Sequence, residues 1–248
     1  MIGLPPPSAP IPQTPVALVR VLEARTTELH AAIAGWNKNT PPPRDVTLLA
    51  LYVQRAVRLL AQDPSLARPV LRLDPAIRDE VTAVRELGRL SAAEPGAQRQ
   101  LRLGPAAPAR RLLGWYRAAQ SRFGVRWQLL AAVNFVESAF GKVRNASSAG
   151  AQGPMQFEPA TWRAYGLGGR IGDPHAAILG AANYLAANGA ATDERKALYH
   201  YNPSALYVDA VLRYARQITR DPNAFPTYYS WQVYFRTPTG VRRVTGPR

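Results

Sequence analysis

The stretch WQLLAAVNFVESAF, residues 127–140, decides the fold of the second half of the chain. Its apolar residues recur three and four positions apart, a spacing that predicts an amphipathic helix. Glu137 lies four residues after Val133 and three before Phe140, on the same stripe as those apolar side chains. Loss of hydration on a buried face favours the protonated carboxyl, so Glu137 is a candidate proton donor. A partly buried ion pair with Arg144 is the alternative.

The loop after this helix consists almost wholly of small residues, since residues 145–156 read NASSAGAQGPMQ. Small side chains let a main chain come close to a ligand, and Gly150 and Gly153 can adopt conformations that other residues rarely reach. The loop is also too apolar for a floppy surface segment, with Met155 expected to pack beneath it. It is therefore predicted to form the wall of a cleft beside Glu137.

Helices are predicted on both sides of this loop. Gly124 and Gly141 are the expected stops of the two helices before it. Glu158-Pro159 and Asp173-Pro174 are both predicted helix starts. In the second of them Asp173 is the expected cap, and Pro174 takes the first helical position. The predicted helices of this part of the chain are residues 109–123, 127–140, 174–188, 194–201 and 206–218.

The front of the chain divides into two parts. Residues 1–15, MIGLPPPSAPIPQTP, contain six prolines and predict an extended linker that forms neither helix nor sheet. Residues 16–104 have a helical pattern and predict an accessory segment without a cluster of chemically useful side chains. Its predicted helices are residues 16–36, 46–60 and 77–90, with breaks at residues 40–43 and at Asp63-Pro64.

The tail, residues 221–248, changes to a period of two. Trp231, Val233 and Phe235 alternate with other side chains, and Thr237-Pro-Thr-Gly240 is a candidate turn. The tail is therefore predicted to end in a short β-hairpin whose second strand is residues 241–244.

The composition restricts the possible partners. The chain has 47% hydrophobic residues and 31 Lys and Arg against 16 Asp and Glu, a net charge of +15. This excess predicts a polyanionic partner: nucleic acid, a membrane surface or cell wall. No nucleic-acid motif is recognised, and no apolar run approaches the ~18 to 20 residues of a membrane span. Nucleic-acid binding and a transmembrane segment are therefore not expected.

The chain contains no cysteine, which excludes disulfides, a thiolate nucleophile and a Cys-based metal site. Its first residues lack the basic start and apolar centre of a signal peptide. If the protein is exported, its signal or anchor is therefore expected outside this chain.

Three ordered motifs resemble the soluble lytic transglycosylases, whose catalytic domain is goose-lysozyme-like. Glu137-Ser138 ends a helix, SSAGAQGPMQ follows at residues 147–156, and Tyr201-Asn202 precedes a helix that contains Tyr207-Val208. The family pattern is a Glu-Ser pair, a Ser-x-x-Gly-Ala-x-Gly-x-x-Gln loop and a Tyr-Asn pair. The likeness covers about residues 105–220, and the whole chain is most similar to actinobacterial secreted members. Pro154 departs from the pattern, since many members have Leu there.

The resemblance implies a mainly α chain with a lysozyme-like catalytic domain of the α+β superfamily at residues 105–220. The helical accessory segment would precede this domain, and the hairpin tail would follow it. Glu137 would act first as acid and then as base in cleaving the β-1,4 bond between N-acetylmuramic acid and N-acetylglucosamine, leaving a 1,6-anhydro end. The substrate-binding residues that the resemblance implies are Ser147, Gly150, Gln156, Tyr201 and Asn202.

The expected partner is the glycan strand of peptidoglycan, with anionic cell-wall polymers as a second candidate. A monomer acting outside the cytoplasm is expected, with no cofactor. No metal is expected, because residues 170–173 lack the acidic run of a calcium loop. Two other functions stay open: a goose-type lysozyme, in which water attacks instead of the muramyl 6-hydroxyl, and a non-catalytic wall-binding protein.

Overall fold

The computed structural model describes residues 3–93, 101–237 and 240–247. Within these residues the chain forms helices and one antiparallel hairpin, which confirms the mainly α prediction. The elements are α1 Pro15–Gly35, α2 Arg44–Gln62, α3 Pro64–Leu73, α4 Arg78–Ala93, α5 Ala109–Phe123, α6 Trp127–Ser138, α7 Pro159–Tyr165, α8 Pro174–Ala187, α9 Glu194–Tyr201, α10 Ala205–Arg220, α11 Ala224–Ser230, β1 Tyr234–Thr237 and β2 Gly240–Arg243.

The helix stops and starts read from sequence are mostly confirmed. Gly124 ends α5 with a φ of +71°, and the Asp173 carboxylate caps α8 by accepting a hydrogen bond from the Ala176 amide. Two helices were missed, α3 and α11. Asp63-Pro64 looked like a break, but the Asp63 side chain accepts from the amides of Ser65 and Leu66 and so begins α3.

The proline-rich stretch has no helix or strand from residue 3 to Thr14, as predicted, but it lies against the helices behind it. The Arg55 guanidinium donates to the carbonyls of Pro7 (3.1 Å) and Ala9 (2.8 Å). The Tyr52 hydroxyl donates to the Pro10 carbonyl at 3.2 Å. These contacts hold the stretch against α2, whereas the sequence predicted only an extended linker.

The accessory helices and the second half of the chain share one continuous core. Their main junction is α4, which packs along α10. There Asp79 accepts hydrogen bonds from Arg213 and Arg216, both at 2.9 Å, and Glu86 forms an ion pair with Arg213 at 3.2 Å. Both carboxylates are largely shielded from solvent, which strengthens these interactions relative to exposed ion pairs.

The tail hairpin pairs Tyr234 with Arg243 and Thr237 with Gly240, one residue earlier in the second strand than predicted. The tip of the predicted turn, residues 238–239, lies outside the described residues. The hairpin is anchored on α2 because the side-chain amide of Gln54 exchanges two hydrogen bonds of 2.8 Å with the backbone of Gln232.

Helix α6 ends two residues earlier than predicted, since Ala139 and Phe140 already have φ values of +51° and +64°. The last turn of α6 binds the following loop through hydrogen bonds to a single carbonyl group of that loop. The Pro154 oxygen accepts from the Ser138 hydroxyl at 2.6 Å and from the Asn134 side-chain amide at 2.7 Å. Ser138 and Asn134 are both buried, so these hydrogen bonds fix the loop to α6 in the interior of the protein.

The loop also passes very close to the segment before α8. Gly153 has a φ of +76°, and a Cβ atom at this position would lie 2.0 Å from the Ile171 carbonyl oxygen. Gly150 has a similar φ of +86°, but a Cβ there would meet no atom within 4 Å. The two glycines share a conformation and differ in the space around them.

This difference predicts that Gly153→Ala destabilises the protein more than Gly150→Ala. Both substitutions force an L residue into the left-handed region, at roughly 1–2 kcal/mol each. Gly153→Ala must in addition displace the backbone at Ile171. Urea unfolding of the two variants measures their free energies of unfolding. Equal losses of this free energy would contradict the close approach of Gly153 to Ile171.

A second prediction concerns Glu80 on α4, whose carboxylate accepts a 2.8 Å hydrogen bond from Tyr228. Burial, reinforced by the nearby carboxylates of Asp221, Asp74 and Asp79, raises the Glu80 pKa from 4.5 to about 7. A pKa raised on folding contributes stability that is complete below pH 4.5 and is lost as the pH rises through about 7.

The stability of the wild type relative to Glu80→Gln should therefore fall between those pH values and level off above them. Chemical unfolding at a series of pH values tests this, with Glu23→Gln, an exposed glutamate of α1, as the control. Parallel curves for wild type and Glu80→Gln would show that burial of this carboxyl does not control the pH response.

Candidate active site

A cleft of about 1130 Å³ runs along the C-terminal end of α6. One wall carries five of the six site residues predicted from sequence: Glu137, Ser147, Gln156, Tyr201 and Asn202. The facing surface comes from outside the predicted catalytic segment. It includes, from α2, α4 and the tail, Gln54, Arg58, Ala61, Gln62, Val84, Arg85, Leu87, Arg89, Gln232, Val233, Tyr234, Arg236 and Val241.

Glu137 lies in the last turn of α6, and the stripe on which it was predicted to lie is otherwise buried. Leu130 and Val133 are completely inaccessible and Phe140 nearly so, whereas Glu137 keeps partial exposure to the cleft. Its Oε1 atom accepts a hydrogen bond of 2.6 Å from the Tyr207 hydroxyl. A buried helix thus presents a carboxylate to the cleft in an orientation that Tyr207 fixes.

The two tyrosines near Glu137 stay protonated. Burial, and after it the negative charge of Glu137, raises the pKa of Tyr201 and of Tyr207 well above the ordinary value of 10.0. Both phenols are therefore neutral hydrogen-bond donors near neutral pH. Tyr201 donates to the Met155 carbonyl at 2.5 Å, so it ties α9 to the loop.

The loop packs against the body with its apolar residues, as predicted. Met155 is completely buried and Phe157 is 3% exposed. Ser147 closes a tight turn, because its hydroxyl accepts from the Ala151 amide at 3.0 Å and its own amide donates to the Ala151 carbonyl at 2.9 Å. Gly150 lies within that turn, and its neighbours on both sides line the cleft.

Gln156 and Asn202 lie on the same wall as Glu137. Gln156 has a φ of +47°, and its side-chain amide donates to the carbonyls of Asn145 (3.2 Å) and Gly153 (2.9 Å), so it braces the loop from inside. Asn202 ends α9, where its backbone amide donates to the Leu198 carbonyl.

Sequence reasoning assigned no role to Tyr207. Its position on the apolar stripe of α10 is typical of a core residue, and it is indeed 1% exposed. The available signal was its place in the Tyr207-Val208 pair of the third motif. The cleft residues of α2, α4 and the tail were also missed, because no local pattern brings segments so far apart in the chain together.

The other acids near the cleft have different environments. Glu158 lies at the N-cap of α7 and is exposed on the cleft rim, while the Asp173 carboxylate caps α8. Within the described ranges no group of three or more His, Asp or Glu side chains is placed to hold a metal ion. No helix among the described residues is long and apolar enough to cross a membrane.

Comparison with known families matches residues 115–221 to the family model described as the Transglycosylase SLT domain. Comparison with curated proteins and with solved structures gives no match. The matched segment runs from within α5 to the end of α10 and contains Glu137, the loop and the two tyrosines. Proteins with this lysozyme-like domain act on peptidoglycan outside the cytoplasm. Residues 115–221 thus match the SLT domain, and this match is consistent with the soluble lytic transglycosylase family.

Proposed function

We propose that the protein is a lytic transglycosylase that cleaves the β-1,4 bond between N-acetylmuramic acid and N-acetylglucosamine without water, with Glu137 as its only acid and base. The observation that carries this proposal is the Glu137 carboxylate, which opens into a cleft of about 1130 Å³ and is oriented by the buried hydroxyl of Tyr207. A fixed carboxyl group at the reacting bond is what general acid catalysis requires.

In the first step protonated Glu137 gives its proton to the glycosidic oxygen. The bond from that oxygen to muramyl C1 breaks, and the N-acetylglucosamine side leaves with a free 4-hydroxyl. The 2-acetamido oxygen of the muramyl residue shields the positive charge that develops at C1. This internal group takes the part that a second carboxylate plays in most glycosidases.

In the second step the Glu137 carboxylate takes the proton of the muramyl 6-hydroxyl. The oxygen closes on C1 and forms the 1,6-anhydro ring, and Glu137 is again protonated for the next cycle. Among the described residues that line the cleft, Glu158 is the other carboxylate, and its exposure at the start of α7 is that of a surface group. A single-carboxylate mechanism agrees with this distribution.

The remaining cleft residues would bind the sugars. We assign Ser147 and Asn202 to the acetamido group, and Gln156 and Tyr201 to the walls of the subsites beside Glu137. Gly150 would contribute through its backbone, since its positive φ closes the turn that presents Ser147. The net charge of +15 would hold the exported protein, acting as a monomer, near anionic cell-wall polymers.

Digestion of purified peptidoglycan tests the proposal, with the released fragments separated and weighed. Anhydro-muropeptides, each one water lighter than the reducing form, are the expected products. Reducing ends would instead identify a hydrolase of the goose-lysozyme type. Glycan binding without any release of fragments would identify a non-catalytic wall-binding protein.

Replacing Glu137 by Gln should lower the rate of fragment release at least about 100-fold, because the amide can neither give nor take the proton. Glu158→Gln should keep most of the activity, since that carboxylate has no part in the mechanism. A comparable loss in both variants would favour a two-carboxylate mechanism, and full activity of Glu137→Gln would remove Glu137 from its role.

Tyr207→Phe should lower kcat by roughly 10-fold or more and leave KM nearly unchanged. The substitution keeps the buried ring and removes only the hydrogen bond that orients Glu137, worth about 1.5–3 kcal/mol when one partner is charged. Tyr199→Phe, at a 53% exposed position, is the matched control. A rise in KM with kcat preserved would show that Tyr207 contributes to binding instead.

A further inference from the structure

We infer that Arg58 of α2, supported by the ring of Tyr234, is a subsite for a carboxylate of the substrate in the cleft that contains Glu137. Both residues lie outside residues 115–221, so the subsite is added to the SLT domain by the accessory segment and the tail. The inference rests on the proposed function, because peptidoglycan is the polymer that brings the carboxylate.

Hydrogen bonds hold the wall that carries Arg58 in place. Gln54 lies one helical turn before Arg58 on α2 and exchanges two hydrogen bonds of 2.8 Å with the backbone of Gln232. Two residues after Gln232, Tyr234 begins β1. Lys142, at the end of the turn that follows α6, donates to the Trp231 carbonyl at 2.8 Å. The tail is therefore fixed both to α2 and to the SLT domain.

The Arg58 guanidinium lies over the Tyr234 ring, 3.9 Å from its centroid. A guanidinium stacked on a ring keeps its N–H donors in its own plane, where they can bind the two oxygens of a carboxylate side by side. Arg58 is partly buried and lines the cleft, so the Tyr234 ring fixes the orientation of its N–H donors within the cleft. A lysine could not reproduce this geometry.

Arg58 also has no ion-pair partner in the part of the chain that the structure describes. Arg126, Arg213 and Arg216, by contrast, each contact a carboxylate. Burial lowers the pKa of Arg58 from its ordinary value, and the neighbouring Tyr234 and Tyr214 offset this only in part. A partly desolvated cation without a counter-ion favours an anionic ligand.

Among the described residues that line the cleft, four arginines (Arg58, Arg85, Arg89 and Arg236) outnumber the two carboxylates, Glu137 and Glu158. Arg89 and Arg236 are exposed on its lining, and Arg85 lines it while donating to the carbonyls of Leu60 and Ala61 at the end of α2. An excess of positive charge raises the local concentration of anionic ligands. Among these arginines, Arg58 is the one held on an aromatic ring.

A neutral sugar has no negative charge that could pair with Arg58, but peptidoglycan carries carboxylates in two places. One is the lactyl group of muramyl residues that have lost their peptide, and the other is the set of free carboxylates on the stem peptides. Arg58 is suited to the chemistry that these sources share. A single set of binding measurements can distinguish the lactyl carboxylate from the stem-peptide carboxylates.

The experiment is calorimetric binding to full-length Glu137→Gln, which holds substrate without turning it over. Three probes are compared: neutral N-acetylglucosamine oligomers, peptide-free glycan fragments with lactyl carboxylates, and glycan fragments that keep their stem peptides. Adding Arg58→Gln should weaken binding of at least one carboxylate-bearing probe by about 10-fold or more and leave the neutral probe unchanged. The probe that loses affinity identifies the source.

Two further variants separate recognition from structural damage. Arg58→Lys keeps the charge and should show a smaller loss than Arg58→Gln, whereas Arg20→Gln, an exposed arginine of α1 outside the cleft, should change nothing. Equal weakening of all three probes, no weakening of any, or no binding of carboxylate-bearing probes to the parent would overturn the inference.

Failure of this inference can be told apart from failure of the proposed function. The binding readout needs no bond cleavage, so selective loss in Arg58→Gln would stand even if the wild type released reducing ends or no fragments. Conversely, anhydro products from the wild type together with unchanged binding in Arg58→Gln would keep the transglycosylase and remove only the carboxylate subsite.

Discussion

The site depends on one buried carbonyl, that of Pro154, which Asn134 and Ser138 of α6 hold at 2.7 and 2.6 Å. Asn134 is itself fixed by Tyr116, whose hydroxyl donates to its side-chain oxygen at 2.5 Å. The next carbonyl, of Met155, accepts from Tyr201 of α9. Buried carbonyls are costly unless they are paired, so these bonds define one position for the loop relative to the helix turn that carries Glu137. The cleft wall is set by this pairing more than by the loop's own conformation.

The same arrangement determines which hydrogen-bond donors surround the Glu137 carboxyl group and how that group is oriented. Tyr207 and Tyr201 remain protonated because burial and the charge of Glu137 both raise their pKa. The Glu137 carboxylate is therefore oriented by a neutral donor, the Tyr207 hydroxyl, which does not compete for its proton. In the proposed function Glu137 acts as acid and then as base in one cycle, and such a group needs a fixed position in both protonation states. A hydroxyl is suited to this, since it can donate to the charged form and accept from the neutral one.

Local signals in the sequence predicted most helices and the Glu137 wall, since caps and helical periods depend on neighbouring residues. The same signal could still be misread: Asp173-Pro174 was recognised as a helix start, while Asp63-Pro64 was taken for a break although its carboxylate caps α3 in the same way. The facing wall of the cleft was not predictable. It depends on contacts such as that of Gln54 with Gln232, which are 178 positions apart, and no periodic pattern encodes such a distance.

The accessory segment therefore belongs to the site in two ways. It supplies Arg58 to the cleft, and through α4 it covers the side of α10 that the SLT domain leaves open, with Asp79 and Glu86 joined to the arginines of that helix. Because Tyr207 lies on α10 and holds Glu137 on α6, α4 supports the carboxylate through the helix between them. The unit that positions Glu137 is consequently larger than the matched segment, residues 115–221. Under the proposed function, substrate selection could change in α2 and the tail without altering the chemistry at Glu137.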